Sequence, residues 1–280
     1  MVTFTPGVLP NDPAKPRLKV ARFLKAPTYP ANLDYLSKVK NYPMYLNDRL
    51  GSCTCAGAGH MIQAESTYGQ GSTQTVSDND VLTAYEAVSG YDPTTGANDN
   101  GAVMQDVLNY WRKTGIGGHQ ILAFAELDIN NMAEVKAAMN TFGAIYVGID
   151  FPDSAMHQFN QGQPWDVVAG ATVEGGHAIH GGAYVDGGNL KFVTWGAVQD
   201  MTQAFWDKYV FEAWVVVTPE WLSAQGMSPT GLDLHALGDE LAVLTGGTNP
   251  FLPAPTTRGL IQLLLSMLTK FLKRFSSGSS

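Results

Sequence analysis

The sequence predicts an α+β protein whose helices and strands are segregated into two layers with a cleft between them. Three observations predict it. Helical periodicity dominates the first half of the chain, strand-like apolar runs dominate the second, and 45% of residues are hydrophobic against only 15% charged. At 280 residues with 30 glycines, the composition is that of a globular chain with a sizeable core. It does not suit a coiled coil or a disordered segment.

In chain order, residues 1–45 carry Pro6, Pro10, Pro13, Pro16, Pro27, Pro30 and Pro43 and read as an ordered wrap over the domain surface, with no cleavable pro-segment evident. A helix begins near Cys53 and runs to Ala64. A second has Ser77 as N-cap, Asp80 three residues on, apolar Val81, Leu82, Ala84, Tyr85 and Val88, and Gly90 as its stop. A third covers Ala102 to Lys113 and ends at Gly115. The period then changes: Ile121–Leu127 and Ala144–Ile149 read as strands around a short helix at Met132–Met139. Ala178–Tyr184, Leu190–Val193 and Trp214–Val217 follow as strands separated by Gly and Asp turns. The aromatic run Phe205, Trp206, Tyr209, Phe211, Trp214 is assigned to packing.

Past Trp221 the chain changes character. The main domain is placed at 1–225, a Gly/Pro-rich linker-like extension at 226–257 with one short helix over Leu232–Leu244, and a basic segment at 258–280. Within that last segment, Leu260–Phe275 is an amphipathic helix with Leu264, Leu268, Phe271 and Phe275 on one face. Residues 258–280 hold four cations and no anion, so the preceding 257 residues carry −12 against a net −8. Self-association or docking of this helix on an assembly partner is expected, and membrane-surface attachment is the minority reading.

Function classes narrow quickly. A net charge of −8 without a basic stripe argues against nucleic acid as partner. No signal peptide and no transmembrane run is visible, so a cytoplasmic or virion-associated location is expected. Cys53 and Cys55, the two cysteines, are too close in sequence to bridge without strain. As metal ligands with His60 they fail as well, because Cys-x-Cys on a helix points its sulfurs to different faces. No metal or cofactor is expected. Gly115–Gly118 lacks the strand–helix context of a phosphate loop.

Two segments carry chemistry. In Asn47-Asp48-Arg49-Leu50-Gly51-Ser52-Cys53, a Gly-Ser turn delivers Cys53 to the first turn of a helix of small residues, where the helix's partial positive charge favours a thiolate. A buried, inert cysteine is the competing assignment. In Gly175-Gly176-His177-Ala178-Ile179-His180, His177 opens an apolar strand, and the glycines leave room for a substrate. A nucleophilic cysteine needs such a base, distant in sequence and adjacent in space. His180 competes, but lies on the opposite face or further along.

With Trp195-Gly196, and with Asp99-Asn100-Gly101-Ala102 and Leu108-Asn109-Tyr110-Trp111 between nucleophile and histidine, residues 45–217 resemble the papain family of cysteine peptidases, in look nearest to bacterial and phage members. The resemblance implies a helical layer carrying the nucleophile helix, packed on an antiparallel sheet, with the active-site cleft between. It implies Cys53 as nucleophile, His177 as general base and acid, and Asn47 where the family places an oxyanion-hole glutamine, acting with the Cys53 backbone N–H. The activity implied is cleavage of a peptide or amide bond through an acyl-enzyme, with a peptide or protein as substrate.

The departures are specific. The family's histidine-orienting asparagine is Val193 here, and Thr194 is expected to face the other side of the strand. Thr54 replaces a tryptophan and Leu50 a disulfide cysteine. These departures support an alternative, an inactive papain-like scaffold retained for structure or assembly. A peptidoglycan amidase is a narrower option, without any cell-wall-binding repeat to support it.

Overall fold

The computed structural model of the chain describes residues 4–24, 28–219, 221, 234–246, 248–249 and 251. The chain divides into two compact units, Met1–Asp233 and Leu234–Ser280. The amphipathic segment expected at 260–275 lies outside the described residues.

The first unit has a helical side built from α1 (Cys53–Gln70), α2 (Asp78–Ser89) and α3 (Met104–Lys113). Its sheet comprises β1 (Val8–Leu9), β2 (Leu33–Asp34), β3 (Ala102–Val103), β4 (Ala123–Glu126), β5 (Ile145–Pro152), β6 (Val173–Tyr184), β7 (Leu190–Thr194), β8 (Ala197–Met201) and β9 (Val210–Val217). The spatial order is β3-β1-β6-β5-β9-β4, with β2 and β7 also pairing with β6, and β8 pairing with β7. The expected antiparallel sheet is therefore mixed at one margin, because β1 runs parallel to β3. Helices α4 (Met132–Phe142), α5 (Asp153–Asn160) and α6 (Gln203–Tyr209) connect strands on the sheet side.

Local chemistry explains most boundaries. Ser77 caps α2 through the Asp80 N–H while the Asp80 carboxylate accepts from the Ser77 N–H, and Gly90 ends the helix at φ 74°. Helix α1 continues past Ala64, its expected end, to Gly71 at φ 75°. In its polar last turns the Ser66 and Thr67 hydroxyls donate back to the Ile62 and Gln63 carbonyls, and Ser66 Oγ also accepts from the Gln74 N–H, tying the helix end to the chain beyond it. Helix α3 starts two residues later than expected, since Ala102 and Val103 are spent on β3. The short strands β1, β2 and β3 were not foreseen, nor were α5, β8 and α6. The aromatic run assigned to packing is divided between α6 and β9, and Phe205 and Trp206 do pack inside.

The principal core lies between α1–α3 and the sheet, with Met61, Ile62, Tyr85, Leu108, Trp111 and Trp214 fully enclosed. Helix α1 is central to it. A methyl at Gly57 would lie 2.9 Å from the Tyr146 ring, so glycine sets how closely α1 approaches β5. The Tyr146 hydroxyl fastens this approach by donating to the Thr54 carbonyl at 2.6 Å.

In the second unit, α7 spans Leu234–Thr245, two residues later at its start than expected. Asn249 folds back on it, donating to the His235 carbonyl and to Asp239 at 3.0 and 2.9 Å.

Candidate active site

Cys53 is the first residue of α1, and Ser52 before it bonds the Tyr45 carbonyl rather than capping the helix. The turn leading in is held from the helical side. Asp99 accepts from the Gly51 N–H at 2.9 Å and from the Tyr85 hydroxyl at 2.6 Å, and that hydroxyl accepts from the Gly101 N–H. The Asp99-Asn100-Gly101 loop is thereby tied to the approach to Cys53.

The Cys53 sulfur meets β6. It accepts a hydrogen bond of 3.3 Å from the N–H of Ala178, the residue after His177. The His177 ring stacks on Trp195 at 4.3 Å with 14° between planes, and the edge of Phe151 approaches it at 5.5 Å. His177 Nε2 shares a 2.7 Å hydrogen bond with Thr194 Oγ1, while Nδ1 is buried without a partner. The sulfur is thus held by the backbone of the residue next to His177, and no hydrogen bond joins it to the imidazole itself.

Thr194 corrects the expectation that it turns away. Val193 pairs directly with His180 across β6–β7, so those two share a face. His177, three residues from His180, and Thr194, one from Val193, both fall on the opposite face. Strand alternation alone could have identified Thr194, had the register been anchored at Val193–His180. His180 is fully buried, with both ring nitrogens lacking hydrogen-bond partners.

Asn47 is buried and donates through Nδ2 to the Leu50 carbonyl at 3.1 Å, which leaves one N–H of its amide uncommitted. The two residues before it, Tyr45 and Leu46, have φ of 50° and 63°, and Trp195 has φ 45°. Three of the four non-glycine residues with positive φ among the described residues thus adjoin Asn47 or His177, a concentration of backbone strain typical of functional sites.

The open cleft expected between the layers is filled. Part of the N-terminal wrap leaves the surface: residues 4–9 cross the cleft as a strap in which Gly7 and Val8 are buried while Pro6 and Leu9 stay exposed. The Gly7 N–H donates to the Gly176 carbonyl at 2.9 Å, and the Gly7 carbonyl accepts from the Ala102 N–H at 3.0 Å. Phe4 stacks on Phe151 at 4.4 Å and presents its edge to His177 at 5.8 Å. The space left by Gly175 and Gly176, expected for a substrate, is taken by Pro6 and Val8.

Electrostatics follow from this cover. Cys53 is 1% exposed, and desolvation pushes its thiol up to about 12, outweighing the lowering by the Ala178 and helix N–H groups. The thiolate expected from the helix terminus is therefore not the resting form under the strap. Burial likewise brings His177 down to about 3. Cys55, one residue on, is also free, buried in the core and pushed up to about 12 by desolvation. Among the described residues no three His, Cys, Asp or Glu side chains gather to hold a metal, and no helix is long and apolar enough to cross a membrane.

No protein-family model and no curated protein matches the sequence. Among solved structures the chain is similar to xylellain, a cysteine protease from Xylella fastidiosa, with a TM-score of 0.56 and 16% identity over 76% of this chain and 95% of that one. It is also similar to digestive procathepsin L 3 of Tenebrio molitor larval midgut, with a TM-score of 0.51 and 13% identity over 72% and 76% of the two chains. At such identities the likeness is one of architecture, and with a helix-tip cysteine lying against a histidine-bearing sheet, the fold of this chain is papain-like.

Proposed function

We propose that the chain is a papain-like cysteine hydrolase of peptide or amide bonds, held latent by its own residues 4–9. One observation carries the reading. His177 is oriented from behind by Thr194 and Trp195, with Nδ1 left unpartnered, one residue from the amide that holds the Cys53 sulfur. An orphaned nitrogen alone does not mark the site, since His180 has two; what sets His177 apart is the Thr194 bond and the Trp195 stack that fix its ring beside the backbone holding Cys53. The cysteine-protease neighbours of the same fold support the same class.

With the strap displaced, water re-enters and the burial that holds both groups neutral is relieved. The Cys53 proton passes to His177 Nδ1, and the thiolate attacks the substrate carbonyl. The Cys53 N–H and the free N–H of Asn47 face the developing oxyanion. Collapse breaks the C–N bond, the imidazolium gives its proton to the leaving amine, and a thioester remains. Water then attacks the thioester as His177 takes its proton, releasing acid and restoring the thiol. Substrate is read as an extended peptide, because the strap occupies the cleft as extended chain bonded to Gly176 and Ala102.

The sealed sulfur favours a second reading, an inert scaffold kept for assembly. Iodoacetamide labelling of the full chain and of Gly7→Ala, with and without His177→Ala, separates them. The hydrolase reading expects Cys53 of Gly7→Ala to be alkylated rapidly at neutral pH and slowed when His177 is removed. A Cys53 that reacts no faster than an ordinary thiol, with or without His177, leaves the scaffold.

A further inference from the structure

Two hydrogen bonds hold the peptide unit between Leu50 and Gly51 from opposite sides. Its carbonyl accepts from the Asn47 amide at 3.1 Å, and its N–H donates to Asp99 Oδ1 at 2.9 Å. A peptide unit is planar, so these two groups cannot turn independently. A rotation that takes the N–H away from Asp99 also swings the carbonyl, and the Asn47 amide with it. Asp99 is itself held from the core. The same Oδ1 accepts from the hydroxyl of Tyr85, a fully buried residue of α2, at 2.6 Å. Burial first, and then the Asp99 carboxylate, keep that hydroxyl protonated, so it donates to Asp99 while accepting from the Gly101 N–H at 3.0 Å. Gly101 precedes Ala102, whose N–H bonds the Gly7 carbonyl of the strap. One carboxylate therefore joins the turn before Cys53 to the edge along which an extended chain lies.

We infer that Asp99 is a positioning residue for the oxyanion. Through the Leu50–Gly51 peptide unit it aims the free N–H of the Asn47 amide, and through Tyr85 it keeps that aim in register with the peptide-binding edge at Gly101 and Ala102. The role rests on the hydrolase reading, in which Asn47 and the Cys53 N–H meet the developing charge. Asp99 acts through these groups and not on the reacting atoms. Its value lies in preorganisation, since a donor that must first be turned into place stabilises a transition state less than one already fixed. The turn needs such an outside tie, because Tyr45 and Leu46, just before Asn47, are held in the strained positive-φ region.

The test uses the full chain in the Gly7→Ala background, with acetyl-trileucine aldehyde and the matching primary alcohol as probes and titration calorimetry as readout. On the aldehyde the Cys53 sulfur bonds the carbonyl carbon, the C=O double bond becomes single, and the thiol proton ends on an oxygen placed where the oxyanion forms. The alcohol can only bind. The parent is expected to hold the aldehyde more tightly than the alcohol. Asp99→Ala should cut that preference roughly ten- to a hundredfold with alcohol affinity unchanged, and Asp99→Asn, which keeps an acceptor, should retain it. Asp99→Ala added to Asn47→Ala should cost little more than Asn47→Ala alone, because its effect passes through that amide. A preference unchanged in Asp99→Ala, or losses that multiply in the double variant, overturn the role. A parent that holds aldehyde and alcohol equally overturns the hydrolase reading itself, and this role falls with it.

Discussion

Gly7→Ala probes the strap most directly. A methyl added at Gly7 falls against the Cys53 sulfur, 2.5 Å from the Gly51 carbonyl oxygen and 2.9 Å from its carbon. Ordinary carbon contacts begin near 3.4 Å, and the Gly51 side is backbone fixed by the Asp99 hydrogen bond, so the strap must yield. Overpacking of this kind costs about 1–3 kcal/mol. Charged to the closed state alone, that shifts the closed-to-open ratio by about 5- to 150-fold. Alkylation that waits on opening should accelerate by the same factor. Mass spectrometry after timed exposure to iodoacetamide reads it, and Cys55 serves as internal control, since core burial protects it until the domain unfolds. Acceleration at Cys53 with Cys55 silent is the expected result. An unchanged Cys53 rate, or both cysteines reacting in step, refutes the strap as the barrier.

Other outcomes follow from the same geometry. Thr194→Val leaves His177 Nε2 buried without its partner; in the Gly7→Ala background it should slow Cys53 alkylation about tenfold, with Thr194→Ser close to the parent. Acid should destabilise the protein. His60 sits at about 4, and His177 and His180 at about 3, all lowered by burial from 6.5. The unfolded chain therefore binds protons first, and stability complete above pH 6.5 drains away down to pH 3–4. At pH 5 the loss is roughly 2 kcal/mol per histidine. Glu212, raised by desolvation to about 7, acts with the opposite sign and returns about half of that, for a net loss of roughly 3 kcal/mol. Urea midpoints at pH 7.5 and pH 5 measure it, and equal midpoints contradict the burial of these rings. Gly57→Ala should cost about 1–3 kcal/mol in thermal melts by driving α1 off Tyr146.

The legibility of the sequence followed the range of each interaction. Helix α2 could be read to its caps because its signals, Ser77, Asp80 and Gly90, lie within one segment. The layer order could be read because periodicity is local. Thr194 could not be placed without the pairing of β7 with β6, and no local rule supplies that register. The strap was invisible for a similar reason: Gly7 fits between Gly51 and Gly101 only once three distant segments converge. The Glu212 carboxylate accepts from the Asn11 amide, 201 residues away in sequence, a pairing equally beyond any local rule. A Pro-rich N-terminus reads equally well as surface cover or as an inserted strand.

In the sheet, β3 pairs with β1 alone among the described residues, and β1 is what joins it to β6. The blocking segment is thus a hydrogen-bonded link between the entry to α3 and the sheet, added to the core where α1 packs on the sheet. Its displacement bares the Ala102 N–H and the Gly176 carbonyl together. An extended peptide lying in the vacated place can close the same bridge between them.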